Sequence, residues 1–240
     1  MIMKAIALAS RRIVEWVVVM SHIAKSDAFG DYTPDSVCVW AKIVARQEIR
    51  DRMFFPWLAQ YLRPGTVLDL GAACGQTSQY LQEIGFKVVA SDIKPFFVEY
   101  MKKRGLDAQH IDATNIQKSI GDRTFDNVFA QGLSSQMFKL DRSVSTRTYE
   151  SVASALKPKG RFVSICGLYR KKSERSRYFN RAEHTEQIER QGLFNIIAVV
   201  PHMVVPPRLY RMWNRHALHW MDFKLAKILP NRIVLVLERK

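Results

Sequence analysis

Asp69, Asp92 and Asp112 are the side chains whose type and spacing best suit the holding of a ligand. Each lies at or near the end of a short, mostly apolar run: Val67-Leu68-Asp69-Leu70, Val88-Val89-Ala90-Ser91-Asp92 and Ala108-Gln109-His110-Ile111-Asp112. A carboxylate in such a place accepts paired hydrogen bonds, Asp92 from two ribose hydroxyls and Asp112 from an adenine amino group or along its edge. Any one of them alone reads equally well as a helix cap or turn residue. Three at consecutive strand ends favour a ligand, because ligands of open α/β sheets gather at those ends.

Between the first two runs lies Gly71-Ala72-Ala73-Cys74-Gly75. Gly71 and Gly75, with two alanines between them, remove the side-chain bulk that would hold a ligand away from the backbone. The helix expected over Gln76–Gly85 offers unpaired N–H groups at its start. A strand, a small-residue turn and a helix in this order serve nicotinamide, flavin and other nucleotide cofactors alike.

These residues need a frame, and the alternation of patterns supplies one. Strands are expected at Thr66–Leu70, Lys87–Ser91, Ala108–Ile111, Phe125–Ala130 and Arg161–Cys166. Helices are expected at Gln76–Gly85, Pro95–Arg104 and Ser145–Leu156, the last ending at Lys157-Pro158-Lys159-Gly160. Such spacing argues for parallel βαβ units. A helix over Glu183–Gln191 is followed by strands at Leu193–Val200 and Arg232–Glu238, which read as an antiparallel pair at one edge. Val37–Leu62 has helical spacing. Ile2–Ala24 reads as an amphipathic helix, interrupted by Arg11, Arg12 and Glu15 and too short in apolar run to span a bilayer. The domain reading is a helical N-terminal cover or lid over residues 1–60 and a second domain over 61–240, with a basic helical insertion at about 201–231.

The chain has 240 residues, 48% of them apolar, which suffices for one large α/β core. Its net charge of +15 is uneven: residues 1–156 hold 19 Lys/Arg and 16 Asp/Glu, whereas 157–240 hold 18 and 6. That excess attracts anionic partners: phosphorylated or carboxylated metabolites, acidic lipid or nucleic acid. Cys38, Cys74 and Cys166 have no metal-binding spacing and are odd in number, as suits reduced thiols in a cytoplasmic protein. No metal is expected.

The order Val-Leu-Asp-Leu-Gly-x-x-x-Gly, Ser-Asp-Ile, Asp-Ala, Phe-Asp-Asn-Val and Leu-Lys-Pro-Lys-Gly-Arg-Phe resembles the class I S-adenosylmethionine-dependent methyltransferases. The match runs over roughly residues 60–200 and the final strand. The layout is closer to the branch acting on small molecules than to that acting on nucleic acids. The resemblance implies a Rossmann-like α/β fold: a seven-stranded, mostly parallel sheet with an antiparallel last strand and helices on both faces. It implies S-adenosyl-L-methionine as cofactor. Asp69, Gly71, Ala73 and Gly75 would shape its methionine side, Asp92 would hold the ribose, Ile93 would pack on the adenine, and Asp112 with Ala113 would meet the adenine edge. Gln131 would lie near the methyl group. Ala73 stands where the family usually has its middle glycine. A dinucleotide dehydrogenase is the rival reading of the turn, and a non-catalytic nucleotide-binding protein on the same fold is another.

The acceptor is less legible. Methyl transfer from a sulfonium is an in-line displacement, and a dedicated base is needed mainly for hydroxyls of high pKa. Ala130-Gln131-Gly132-Leu133 lacks the Asn/Asp-Pro-Pro-Tyr/Phe signature of enzymes that methylate amino groups of bases or glutamine. Of His22, His110, His184, His202, His216 and His219, the candidate base is His184, which follows a basic loop on the active-site side. In that loop Arg170, Arg175 and Arg177 suit bidentate contact with a carboxylate or phosphate, although a solvated charge run reads as well. Arg208, Arg211 and Arg215 share a helical face, with Leu209, Met212, Trp213, Trp220 and Phe223 supplying apolar bulk. This segment reads as a packed cap, or as a surface meeting anionic lipid. The expected acceptor is oxygen, then nitrogen or carbon, of a small or lipid-linked anionic metabolite, with peripheral contact at the inner membrane surface. RNA ranks lower. Asp31-Tyr32-Thr33 reads as a lid over the cofactor or as a plain turn.

Overall fold

A computed structural model describes residues 33–137, 142–168, 179–202, 215–226 and 232–240. The N-terminal helix, the Asp31-Tyr32 part of the lid and Arg170, Arg175, Arg177, Arg208 and Arg211 lie outside the described residues. Residues 34–240 form one compact unit.

In chain order the elements are α1 (Ser36–Ala59), β1 (Thr66–Leu70), α2 (Gln76–Glu83), β2 (Lys87–Asp92), α3 (Pro95–Lys103), β3 (Ala108–His110) and α4 (Gln117–Ile120). They continue with β4 (Phe125–Gln131), α5 (Ser134–Met137), α6 (Arg142–Ala155), β5 (Leu156–Gly167), α7 (Arg181–Gln191), β6 (Phe194–His202), α8 (Arg215–Ala226) and β7 (Arg232–Arg239). The seven strands form one sheet in the order β3-β2-β1-β4-β5-β7-β6. Strands β1 to β5 pair in parallel, and β7 runs antiparallel to both its neighbours. This is the expected mostly parallel sheet with its last strand reversed.

Burial on both faces explains the strand sequences. Val67, Leu68, Asp69 and Leu70 are all buried, as a central parallel strand requires. One face packs Tyr149, Val152, Phe162, Ile188 and Leu235 beneath α6 and α7. The other packs Phe54, Phe55 and Leu58 of α1, with Tyr80 and Leu81 of α2, on Val67, Phe129 and Val163. Local signals set the helix ends. Pro95 opens α3. Asn180 and Glu183 form a reciprocal capping box on α7, which Gly192 closes in the left-handed region.

Several element boundaries shift from the sequence expectation, two of them with a clear physical reason. Strand β3 stops at His110, leaving Ile111 buried just beyond it. Strand β5 begins at Leu156, so Lys157-Pro158-Lys159-Gly160 belongs to the strand and is no turn. Its pairing with β4 slips between Phe125 and Asn127, and Lys159 has φ 62°. The segment is a bulge, where a strand tolerates Pro and Gly.

The topology gathers the loops that matter. The order reverses at β1, between β2 and β4, so the crevice for a ligand opens at the carboxyl ends of those strands. Gly167 pairs with Arg232, and His202 pairs with the same residue. The chain therefore leaves β5 and β6, and enters β7, at that same carboxyl edge.

Candidate cofactor and acceptor site

The turn after β1 is built on left-handed residues: Gly71 has φ 70°, Ala73 φ 48° and Gly75 φ 73°. For Ala73 this conformation costs on the order of 1 kcal/mol. Three hydrogen bonds hold it. Ala72 N donates to Ser91 O (2.8 Å), Gly75 N to Ala72 O (2.8 Å), and Ala73 N to Asp92 Oδ2 (3.0 Å). Two of these run to the end of β2, so the turn and that strand end move as one piece. The Arg104 guanidinium adds a bond to Cys74 O at 2.5 Å.

The two glycines do different work. A Cβ on Gly71 would have only Leu133 Cδ1 near it, at 3.4 Å, so this backbone is open to a ligand. A Cβ on Gly75 would strike Leu106 Cδ1 at 2.3 Å and Met101 Cγ at 2.9 Å. Gly75 is required by the packing of the turn against α3 and the connection from α3 to β3.

The acids are placed as follows. Asp69 is buried, with Oδ2 accepting from Ser78 Oγ at 2.6 Å. Burial raises its pKa to about 7, against the pull of that hydroxyl. Asp92 is 7% exposed; besides Ala73 N, it accepts from Lys94 N at 2.9 Å on Oδ1. Burial pushes its pKa up, and those backbone bonds oppose the rise. Beside it Ile93 is 46% exposed, unusual for a large apolar residue among those described, and its carbonyl meets His110 Nε2 at 2.8 Å. Asp112 is exposed and holds Thr114 N and Oγ1, both at 2.8 Å, on Oδ1. It is thus a turn aspartate that leaves Oδ2 without a partner among the described residues. Ala113 follows it, half-buried, and Gln131 ends β4, paired with Ile165.

These features fit an adenosyl group: an exposed apolar platform at Ile93, flanked by a nearly buried carboxylate and an outward-facing one, with bare backbone at Gly71. A methyltransferase-domain family model matches residues 67–160, the stretch that carries all of these residues. The seven-stranded sheet with its reversed last strand is the Rossmann-like methyltransferase fold. This fold is shared with the PH0226 protein of Pyrococcus horikoshii OT3 (18% identity, 81% of this chain and 92% of that one, TM-score 0.57). A TehB-like methyltransferase of Corynebacterium glutamicum matches over 87% of this chain and 100% of its own, at 17% identity and TM-score 0.58. The glycopeptide N-methyltransferase MtfA, solved with S-adenosylmethionine, matches over 81% and 87%, at 16% identity and TM-score 0.56. No curated protein matches the chain. Among the described residues there is no cluster of metal ligands.

His184, the candidate base, sits in the first turn of α7, fully buried, with its ring 5.4 Å from that of Phe179. Neither ring nitrogen has a hydrogen-bond partner among the described residues. Burial lowers its pKa to about 4, so the ring is neutral at pH 7. Sequence reasoning passed over Ser78, Ser91, Leu133 and Gln136. A signal existed for Ser91, a lone hydroxyl in an apolar strand, whose Oγ donates to Asp69 O at 2.9 Å. For the others the partner lies in a separate element.

Proposed function

We propose that this chain is a class I S-adenosylmethionine-dependent methyltransferase acting on oxygen, before nitrogen or carbon, of a small or lipid-linked anionic metabolite. The observation that carries the proposal is topological. Residues 169–178, with five Lys/Arg and one Glu, follow the end of β5, and residues 203–231, with five Lys/Arg and one Asp, join β6 to β7. Both leave from the edge at which Asp92 and Gly71 lie. Positive charge around that crevice draws an anionic acceptor and repels a cationic one. Within this reading Arg170, Arg175 and Arg177 grip the anionic group.

For the cofactor, Asp92 accepts from the ribose hydroxyls with the lone pairs its backbone bonds leave over, Ile93 supports the adenine, and Asp112 Oδ2 with Ala113 meets the adenine edge. Asp69, Gly71 and Ala73 border the methionine portion, with Gly75 fixing the turn, and Gln131 faces the methyl. Bound there, S-adenosylmethionine supplies an electrophilic methyl group. The chain's part is to hold the acceptor in line with it and to exclude water. His184 is the base for a hydroxyl acceptor. It is neutral, as a base must be, and needs uncovering from Phe179 to reach one.

One observation supports contact with an anionic membrane as well. Trp220 on α8 is 61% exposed, with Lys224 Nζ 5.2 Å from its ring centre, a pairing suited to the lipid–water interface. Among the described residues no helix is long and apolar enough to cross a membrane.

Labelled methyl from the cofactor, followed into cell extract, tests the proposal. Label in an anionic small molecule or lipid supports it. Label confined to RNA would favour the nucleic-acid reading instead.

A further inference from the structure

The short segment between β4 and α6 is tied to β5 at two points. Gly132 N donates to Ile165 O at 2.9 Å, and Ser164 Oγ donates to Gln136 Oε1 at 2.7 Å. Gln136 and Ser164 are both fully buried. Gln136 N also donates to Leu133 O at 3.0 Å, closing the turn on itself. Between the two anchors Leu133 reaches across to the cofactor turn, its Cδ1 3.4 Å from where a Cβ on Gly71 would stand.

Gln136 is an odd residue for that place. Its Nε2 lies beside the buried hydroxyl of Tyr149, the two groups facing each other without good hydrogen-bond geometry among the described residues. An apolar residue there would avoid stranding a polar group in the core. The bond to Ser164 is what Gln136 provides and an apolar residue does not, and that bond fixes the segment bearing Leu133.

We propose that Gln136 is a positioning residue for methyl transfer. Bonded to Ser164, it holds Leu133 against Gly71 and so sets the apolar wall beside the methionine portion of the cofactor. The inference rests on the cofactor placement given under the proposed function.

The test uses the full chain and two probes, S-adenosylhomocysteine, which has no group at the methyl position, and sinefungin, which carries an ammonium there. Ser164→Ala frees the segment and admits water beside that position. Water penalises the uncharged probe more than the cation. The affinity ratio of the two is expected to shift by about threefold or more, the scale of one ordinary hydrogen bond. Leu133→Ala is expected to shift it the same way, and the double variant to go no further than either single, since both changes act on one contact. Gln136→Leu replaces Ser164→Ala should that variant melt below the assay temperature. An unchanged ratio in any of these variants, or fully additive effects, would overturn the inference. Asp92→Ala checks the placement separately, because it should weaken both probes in parallel and leave the ratio alone. Wild-type protein that binds neither probe would sink both.

Discussion

The Asp92 carboxylate and the Ala73 amide are joined by a 3.0 Å hydrogen bond that ties the end of β2 to the turn after β1. Asp92 thereby holds a strained non-glycine residue in place while keeping lone pairs for a ligand. The structural task is the bond itself and the ribose contact is the proposed second one, which is why the sequence alone reads equally well either way.

Ala73 at φ 48° should tolerate glycine better than any branched residue. Ala73→Gly removes a left-handed strain of about 1 kcal/mol and adds a similar entropy to the unfolded chain. Its unfolding free energy should therefore stay near that of wild type. Ala73→Val should lower it measurably in urea denaturation. A glycine variant distinctly less stable than the valine variant would contradict the geometry.

Gly75→Ala should be costly for a different reason. The new methyl would collide with Leu106 and Met101, and overpacking of that kind costs about 1–3 kcal/mol. The double variant Gly75→Ala/Leu106→Ala should recover part of the loss in the same denaturation assay, and no recovery would argue against the collision.

Two buried groups give opposing pH dependences. His184 has a folded pKa near 4 against 6.5 unfolded, so the unfolded chain binds the extra proton in that window, and this contribution to stability is lost as pH falls from about 6.5 to 4. Asp69 has a folded pKa near 7 against 3.8, so the native state binds the extra proton, and this contribution is lost as pH rises from about 4 to 7. These two contributions should therefore largely offset each other between about pH 4 and 6.5. His184→Phe should leave a curve that falls with rising pH, and Asp69→Asn one that rises. Identical curves for the two variants would rule out the assignment.

The raised Asp69 pKa also bears on the cofactor. A cationic ligand beside it favours the ionised carboxylate, so binding should strengthen as pH rises through about 7 and release protons on the way. Calorimetry in two buffers of different ionisation enthalpy reads that release, which should disappear in Asp69→Asn. Proton uptake would have the wrong sign.

How much of this was legible in the chain depended on range. The run Val67–Leu70 and its glycine turn were legible because a strand buried on both faces shows as a continuous apolar run. The reversed last strand was legible because β6 and β7 follow one another without a βαβ crossover. The bulge at Lys157–Gly160 was not, since Pro158 and Gly160 signal a turn locally, while the pairing of Leu156 with Phe125 carries the strand past them. Nor were Ser78 under Asp69 or Ser164 under Gln136, contacts between separate elements that composition does not encode. His184 drew notice for its place after a basic loop; nothing in its neighbours in sequence foretold complete burial beneath Phe179.

The most direct test of the account is calorimetric titration of S-adenosylmethionine into the wild-type protein and Asp92→Ala. Charge-assisted hydrogen bonds of about 1.5–3 kcal/mol predict binding by the wild type and a loss of more than about tenfold in the variant. Equal affinities in the two proteins, or no binding by the wild type, would contradict it.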